Sequence, residues 1–241
     1  MTSVAVPSAE LRLRLLGRWA LYGADGGLLC PSGKRLLTFL ALRGACSRRV
    51  LTATIWPDAS DDKALASLRT ALWRIRRVHP ALVVGGDALA LGDGVQVDVP
   101  ALLALVQALA AREGARSTLT AVPEQLLSGD LVPGWRDEWL LVERERIRQL
   151  RLHALETLAR TFAADGRYTL GLAAGLAAVR AEPLRESAQR AVIDLYLRAG
   201  DRGRARRHLE AYQHLLYQRL GVAPSPRTLR LLRDDQPAGR P

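Results

Sequence analysis

LTATIWPDASDDKALASLRTALWRIRRVHPALVVGGDALAL, residues 51–91, holds a change of hydrophobic period. Within residues 61–78, Leu65, Leu68, Leu72 and Ile75 step by three, four and three, the spacing of one α-helix face. After Leu82 the pattern alternates around Gly85-Gly86-Asp87, the mark of a two-stranded hairpin. Asp61 and Asp62 open the helix, where carboxylates suit the positive end of the aligned peptide dipoles, and His79-Pro80 closes it. Upstream, Ser47 stands where it can cap a helix of about three turns, with Val50, Leu51, Ile55 and Trp56 inward and Pro57 ending it. Two helices in close succession, then a hairpin, outline a winged helix-turn-helix.

If the leucine stripe is buried, helix geometry turns Ala66, Arg69, Thr70, Trp73 and Arg77 outward, with Lys63, Arg74 and Arg76 on the flanks. Arginines on an outward face are ordinarily only solvated. What sets this face apart is its place in the order of elements: second of two helices, directly before a hairpin, where a recognition helix sits.

Working outward, ELRLRLLG (residues 10–17) alternates leucine with arginine, the pattern of a strand with one buried side. A short run at 19–22 and another at 28–30, separated by Gly23-Ala24-Asp25-Gly26-Gly27, extend this to an antiparallel meander. Leu36, Leu37, Leu40 and Ala41, with Phe39 beside them, then give a helix that stops at Arg43-Gly44. Beyond a strand-like piece at 95–97, Asp98 is placed to cap a helix carrying Leu102, Leu103, Leu105, Val106 and Leu109, with an exit loop at 114–123. Helices are expected at 137–164, 169–181, 184–199 and 202–220, with no further strand.

A shift of 34 residues lays Phe162 on Tyr196, Gly166 on Gly200, Gly171 on Ala205 and Ala177 on Ala211. That is the tetratricopeptide period, in which helix pairs stack because none can cover its own apolar face. The expected fold is therefore mainly α with a small antiparallel β component: a winged helix-turn-helix domain at 1–98, a helical tetratricopeptide-like domain at 99–232 and a flexible tail at 233–241.

Of the 35 basic residues all but Lys34 and Lys63 are arginine, and the net charge is +11. A polyanionic partner fits, but the excess is shared almost evenly between the two expected domains and does not choose between them. The longest apolar and glycine run, residues 170–179, is too short to cross a bilayer, and no signal peptide is read at the start, so a cytoplasmic protein with no membrane partner is expected. Cys30 and Cys46 form no zinc or disulfide framework.

Catalytic signatures are missing. His79, His153, His208 and His214 have no metal-ligand spacing. Ser32-Gly33-Lys34-Arg35 echoes the end of a phosphate loop, but Leu28 replaces its first glycine and Arg35 the magnesium-binding hydroxyl. Asp61-Asp62 and Asp137-Glu138 match helix starts, and Trp135 and Trp139 read as core. No enzyme activity, cofactor or metal is expected.

LASLRTALWRIRRV (65–78), preceded by LTATIWPD (51–58), resembles the second and recognition helices of the OmpR-like winged helix in SARP-class activators, the antibiotic regulatory proteins of actinomycetes. LLSGDLVPGWRDEWLLVERERIRQLRLHALETLA (126–159) resembles the opening of that class's bacterial transcriptional activation domain, and residues 182–232 its later part. The resemblance implies a homodimer on double-stranded promoter DNA with repeated half-sites, and helical repeats that engage RNA polymerase holoenzyme at antibiotic genes. It places Arg69, Thr70, Trp73, Arg74 and Arg77 on the groove-facing helix, and Arg48 and Arg49 near the phosphate backbone. Lys63 is grouped with the groove contacts and Arg76 with the backbone contacts. Trp73 stands where the class more often has a small polar side chain, and the turn Gly85-Gly86-Asp87 lacks a minor-groove arginine. A second reading remains: an adaptor whose repeats hold a protein and whose winged helix does not read DNA specifically.

Overall fold

The computed structural model describes residues 10–111 and 118–232. Their contacts gather into two compact units: the chain up to Ala101 with Asp130–Arg144, and Leu102–Gly129 with the chain from Glu145 onward.

The first unit opens with β1 (Leu11–Arg14) and β2 (Ala20–Tyr22), then α1 (Pro31–Arg43), β3 (Cys46–Ser47), α2 (Arg48–Ile55), α3 (Asp61–Val78), β4 (Val83–Gly85), β5 (Ala88–Leu91) and β6 (Val95–Val97). One sheet has the order β2-β1-β6 and the other β3-β5-β4. Leu11 and Leu13 face the core while Arg12 is exposed, as the alternation requires. The simple meander is corrected: β1 pairs antiparallel with β2 but parallel with β6. Residues 28–30 are not a strand either. Asp25 accepts from Gly27 N–H and winds Gly26–Leu28 into a 3₁₀ turn, and Cys30 then stands at the N-cap of α1.

α1, α2 and α3 enclose the core with Leu36, Leu37, Leu40, Leu51, Ile55, Leu68, Leu72 and Ile75, all buried. Gly44 ends α1 at φ 73°, a conformation that glycine adopts without strain. Ser47 caps α2 as expected, accepting from Val50 N–H at 3.4 Å, although α2 is only 8 residues long. Three core assignments are corrected, beginning with Val50, which is 46% exposed, and Leu65, which is 38% exposed. In α3 the buried stripe is Ala64, Leu68, Ala71, Leu72 and Ile75, so its centre lies on the alanine side and Leu65 falls at its rim. Trp56 is half-buried rather than inward.

α4 (Asp98–Ala111), α5 (Glu124–Leu127) and α6 (Glu138–Ala164) follow. The Asp98 carboxylate holds the chain just after β1: it accepts from Leu15 and Leu16 N–H at 2.9–3.0 Å. Burial, acting against these bonds, pushes its pKa up. The expected loop at 114–123 lies partly outside the described residues, as does the whole tail at 233–241.

Asp130–Arg144 joins the first unit through backbone pairing. Gly17 N–H donates to Asp130 O and Val132 N–H to Leu15 O, both at 2.7 Å, and Leu16 and Leu131 form an antiparallel bridge. This pairing, which the expectation of no strand after residue 99 omitted, brings a segment distant in sequence into the first unit. Arg144 donates to the carbonyls of Leu131, Val132 and Trp135 at 2.8–3.0 Å, holding a turn in which Val132 has φ 31°. Trp139 stacks edge-on to Phe39 with ring centroids 5.1 Å apart, and Arg35 pairs with Asp137 at 2.9 Å.

In the second unit, α7 (Tyr168–Ala181), α8 (Glu186–Arg198), α9 (Arg202–Leu220) and α10 (Pro226–Arg230) follow among the described residues. The 34-residue shift is reproduced bond by bond. Arg167 N–H donates to Phe162 O and Asp201 N–H to Tyr196 O, both at 2.8 Å. Gly166 and Gly200 turn at φ 72° and 76°. In α7, a Cβ on Gly171 would meet Leu195 Cδ2 at 2.5 Å, which is why the α7 surface facing α8 is so small. Glu186 accepts from Ser225 and Thr228 and so fastens α10, a short helix the sequence pattern did not announce.

Candidate nucleic-acid interface

α3 presents two faces of opposite character. Its stripe of alanines, leucines and Ile75 is in the core, so at about 100° per residue the outward ridge runs through Ala66, Thr70, Trp73 and Arg77. Arg69 and Arg76 form one shoulder of this ridge, and Lys63 and Arg74 the other. All eight are exposed. This is the arrangement expected from the hydrophobic period, and the error at Leu65 leaves it unchanged.

The exposed side chains differ in how far they are committed. Among the described residues, Lys63, Arg69 and Arg76 have no ion-pair partner, nor does Arg49 in the first turn of α2. Arg77 lies over the Trp73 ring, its guanidinium carbon 4.9 Å from the centroid. Thr70 Oγ1 donates to Ala66 O at 3.0 Å, which leaves its oxygen free to accept. Arg74 is drawn toward Cys30. Burial there acts to raise the thiol pKa, but hydrogen bonds from Ser32, the Gly33 N–H and Arg74 hold it below the ordinary value.

Arg48, expected near the phosphate backbone, also has a partner within the protein. Its Nε donates to Gly86 O at 2.9 Å and its backbone N–H to Asp87 O at 3.2 Å. The start of α2 is thus tied to the hairpin turn, and β3 adds Cys46–Leu89 and Ser47–Ala88 pairing to the same hairpin. Gly85 sits at φ 104°, and a Cβ there would come within 2.1 Å of Ala88 O, so the turn requires glycine. This link joins residues on separate elements and leaves no trace in local periodicity.

Three apolar side chains missed as surface groups share this unit: Val50 on α2, Leu65 on α3 and Val84 on β4, the last 43% exposed. Leu65 could have been found by noting that Ala64 and Ala71 complete a tighter stripe with Leu68 and Ile75. Among the described residues no cluster of His, Cys, Asp or Glu can hold a metal ion, and no helix is long and apolar enough to cross a membrane.

Comparison with known proteins bears on the helical part of the chain and on the fold. The model of the bacterial transcriptional activator domain matches residues 97–234, more than half of the chain. The chain belongs to this family. The SARP-class resemblance of its sequence is thereby confirmed, and the protein is a SARP-type transcriptional regulator, which is not an enzyme class. Among solved structures, Mycobacterium tuberculosis EmbR in complex with low affinity phosphopeptide is similar, with a TM-score of 0.67 and 20% identity over 96% of this chain and 67% of that one. At that identity the likeness is one of fold: a winged helix followed by helices. No curated protein sequence matches the chain.

Proposed function

We propose that this regulator is a sequence-specific DNA-binding activator. The observation that carries the reading is α3 itself: a helix anchored by five buried side chains whose opposite face holds cations, a threonine and a tryptophan, all exposed. A B-DNA major groove is about 12 Å wide and admits one such helix. In this reading Arg69, Thr70, Trp73, Arg74 and Arg77, with Lys63, face base edges, and Arg49 and Arg76 contact phosphates. Arg48 acts mainly by holding the Gly86 turn. The winged helix occupies the part of the chain up to residue 98, and the repeats in 99–232 engage RNA polymerase holoenzyme. A homodimer on repeated promoter half-sites, in the cytoplasm and on the nucleoid, at secondary-metabolite genes of the antibiotic kind, completes the proposal.

The test is fluorescence anisotropy of the full chain on its promoter against random duplex, followed by transcription with purified polymerase holoenzyme. Expected are a clear preference for the promoter and template-specific stimulation. Equal affinity for both duplexes refutes specific reading. The adaptor reading draws on the bond-by-bond repeat of α6–α7 in α8–α9. It predicts partner capture that survives loss of the α3 cations, without a promoter footprint.

A further inference from the structure

Trp73 is the feature of α3 that phosphate binding does not explain. It is 57% exposed, at the centre of a cationic ridge, and its ring carries the guanidinium of Arg77. Long helical side chains lean toward the N-terminus, which brings Arg77 back one turn over Trp73, toward the middle of the helix. An arginine in a last turn otherwise swings freely among several rotamers, and the ring restricts it. With one side against the indole, the guanidinium keeps its N–H donors for an outside acceptor, and no other partner is recorded for it among the described residues. In a major groove the acceptor pair matching that fork is guanine O6 and N7. The exposed indole itself needs an apolar contact, and the apolar group a major groove displays is the thymine methyl.

We propose that Trp73 and Arg77 form one reading unit, in which the indole is a positioning residue for an arginine that reads guanine and also covers the methyl group of a neighbouring thymine. The inference rests on the DNA-reading proposal and adds its base preference: a guanine next to a thymine within each half-site.

The experiment selects binding sites from a random duplex library with the full chain and with W73A, W73F and R77A. It then measures affinities on the selected site carrying deoxyuridine for thymidine, or 7-deazaguanine for guanine. The wild type is expected to enrich adjacent guanine and thymine. Deoxyuridine should weaken it about fourfold, the worth of one buried methyl, and 7-deazaguanine by about tenfold. In W73A the deoxyuridine effect should vanish and the guanine preference should relax as it does in R77A. W73F keeps a ring under the guanidinium and should restore the guanine preference, an outcome that loss of fold in W73A would not produce. If W73A selects the wild-type site with both base-analogue penalties intact, the pairing is overturned while DNA reading stands. If the wild type enriches no sequence, DNA reading falls and the pairing with it.

Discussion

Removing Arg76 gives the sharpest test of how α3 is held on DNA. It is exposed on one shoulder of the helix, with no ion-pair partner among the described residues, so its charge is available to a phosphate. Arg69 lies on the same shoulder seven residues earlier, about 10 Å along the axis, too far for both to share one phosphate. Each phosphate neutralised adds about 0.9 to the slope of log affinity against log salt. R76A should therefore flatten that slope by about 0.9 per protomer, equally on promoter and random duplex. Across a fourfold rise in salt, about 50 to 200 mM, one such contact accounts for a change of about 3.5-fold. The assay is anisotropy at four or more salt concentrations, with R206A on α9 as control. Arg206 is exposed as well, but pairs with Glu210 at 2.9 Å and lies outside the proposed interface. An unchanged slope in R76A, or equal flattening in R206A, refutes the assignment of a phosphate contact to Arg76.

R48A removes the Nε bond to Gly86 O, and hydrogen exchange at residues 85–88 should quicken while α3 exchange stays as it was; unchanged exchange contradicts the tie. R144A orphans three carbonyls around a turn strained at Val132 and should lower unfolding free energy by about 2–4 kcal/mol, read by urea titration. At Gly171, alanine gains about 1 kcal/mol of helix propensity, but its Cβ would press to 2.5 Å from Leu195, an overpacking cost of about 1–3 kcal/mol. G171A should thus be neutral to destabilising, and adding L195A should reverse the sign of the glycine substitution; a thermal melt showing plain stabilisation by G171A alone would refute the close packing. His208 bonds Gln189 at 2.7 Å, and burial holds its pKa below the usual 6.5. The unfolded chain then binds the proton first, so stability should fall as pH drops from neutral through that range, and less so in H208Q. A pH-stability curve unaltered by H208Q would show that this histidine does not titrate as its burial requires.

The winged helix, the outward face of α3 and the 34-residue repeat were legible in the sequence because each is written in local terms. Period three-four at Leu68, Leu72 and Ile75, the cap at Ser47 and the glycine turns at 166 and 200 need no knowledge of distant residues. Family resemblance supplied the chemistry of partners, which periodicity does not contain. Tertiary structure decided what depends on neighbours far along the chain. Whether Ala64 or Leu65 fills the core is set by where α1 and α2 place their own side chains, since both positions lie near one stripe. Likewise the parallel pairing of β1 with β6, the return of Asp130–Val132 to the end of β1, and the hold of Arg48 on Gly86 all join groups whose partners local spacing cannot name. Backbone donors and charged side chains take whichever acceptor the folded chain brings within reach, and that choice exists only once the core has closed.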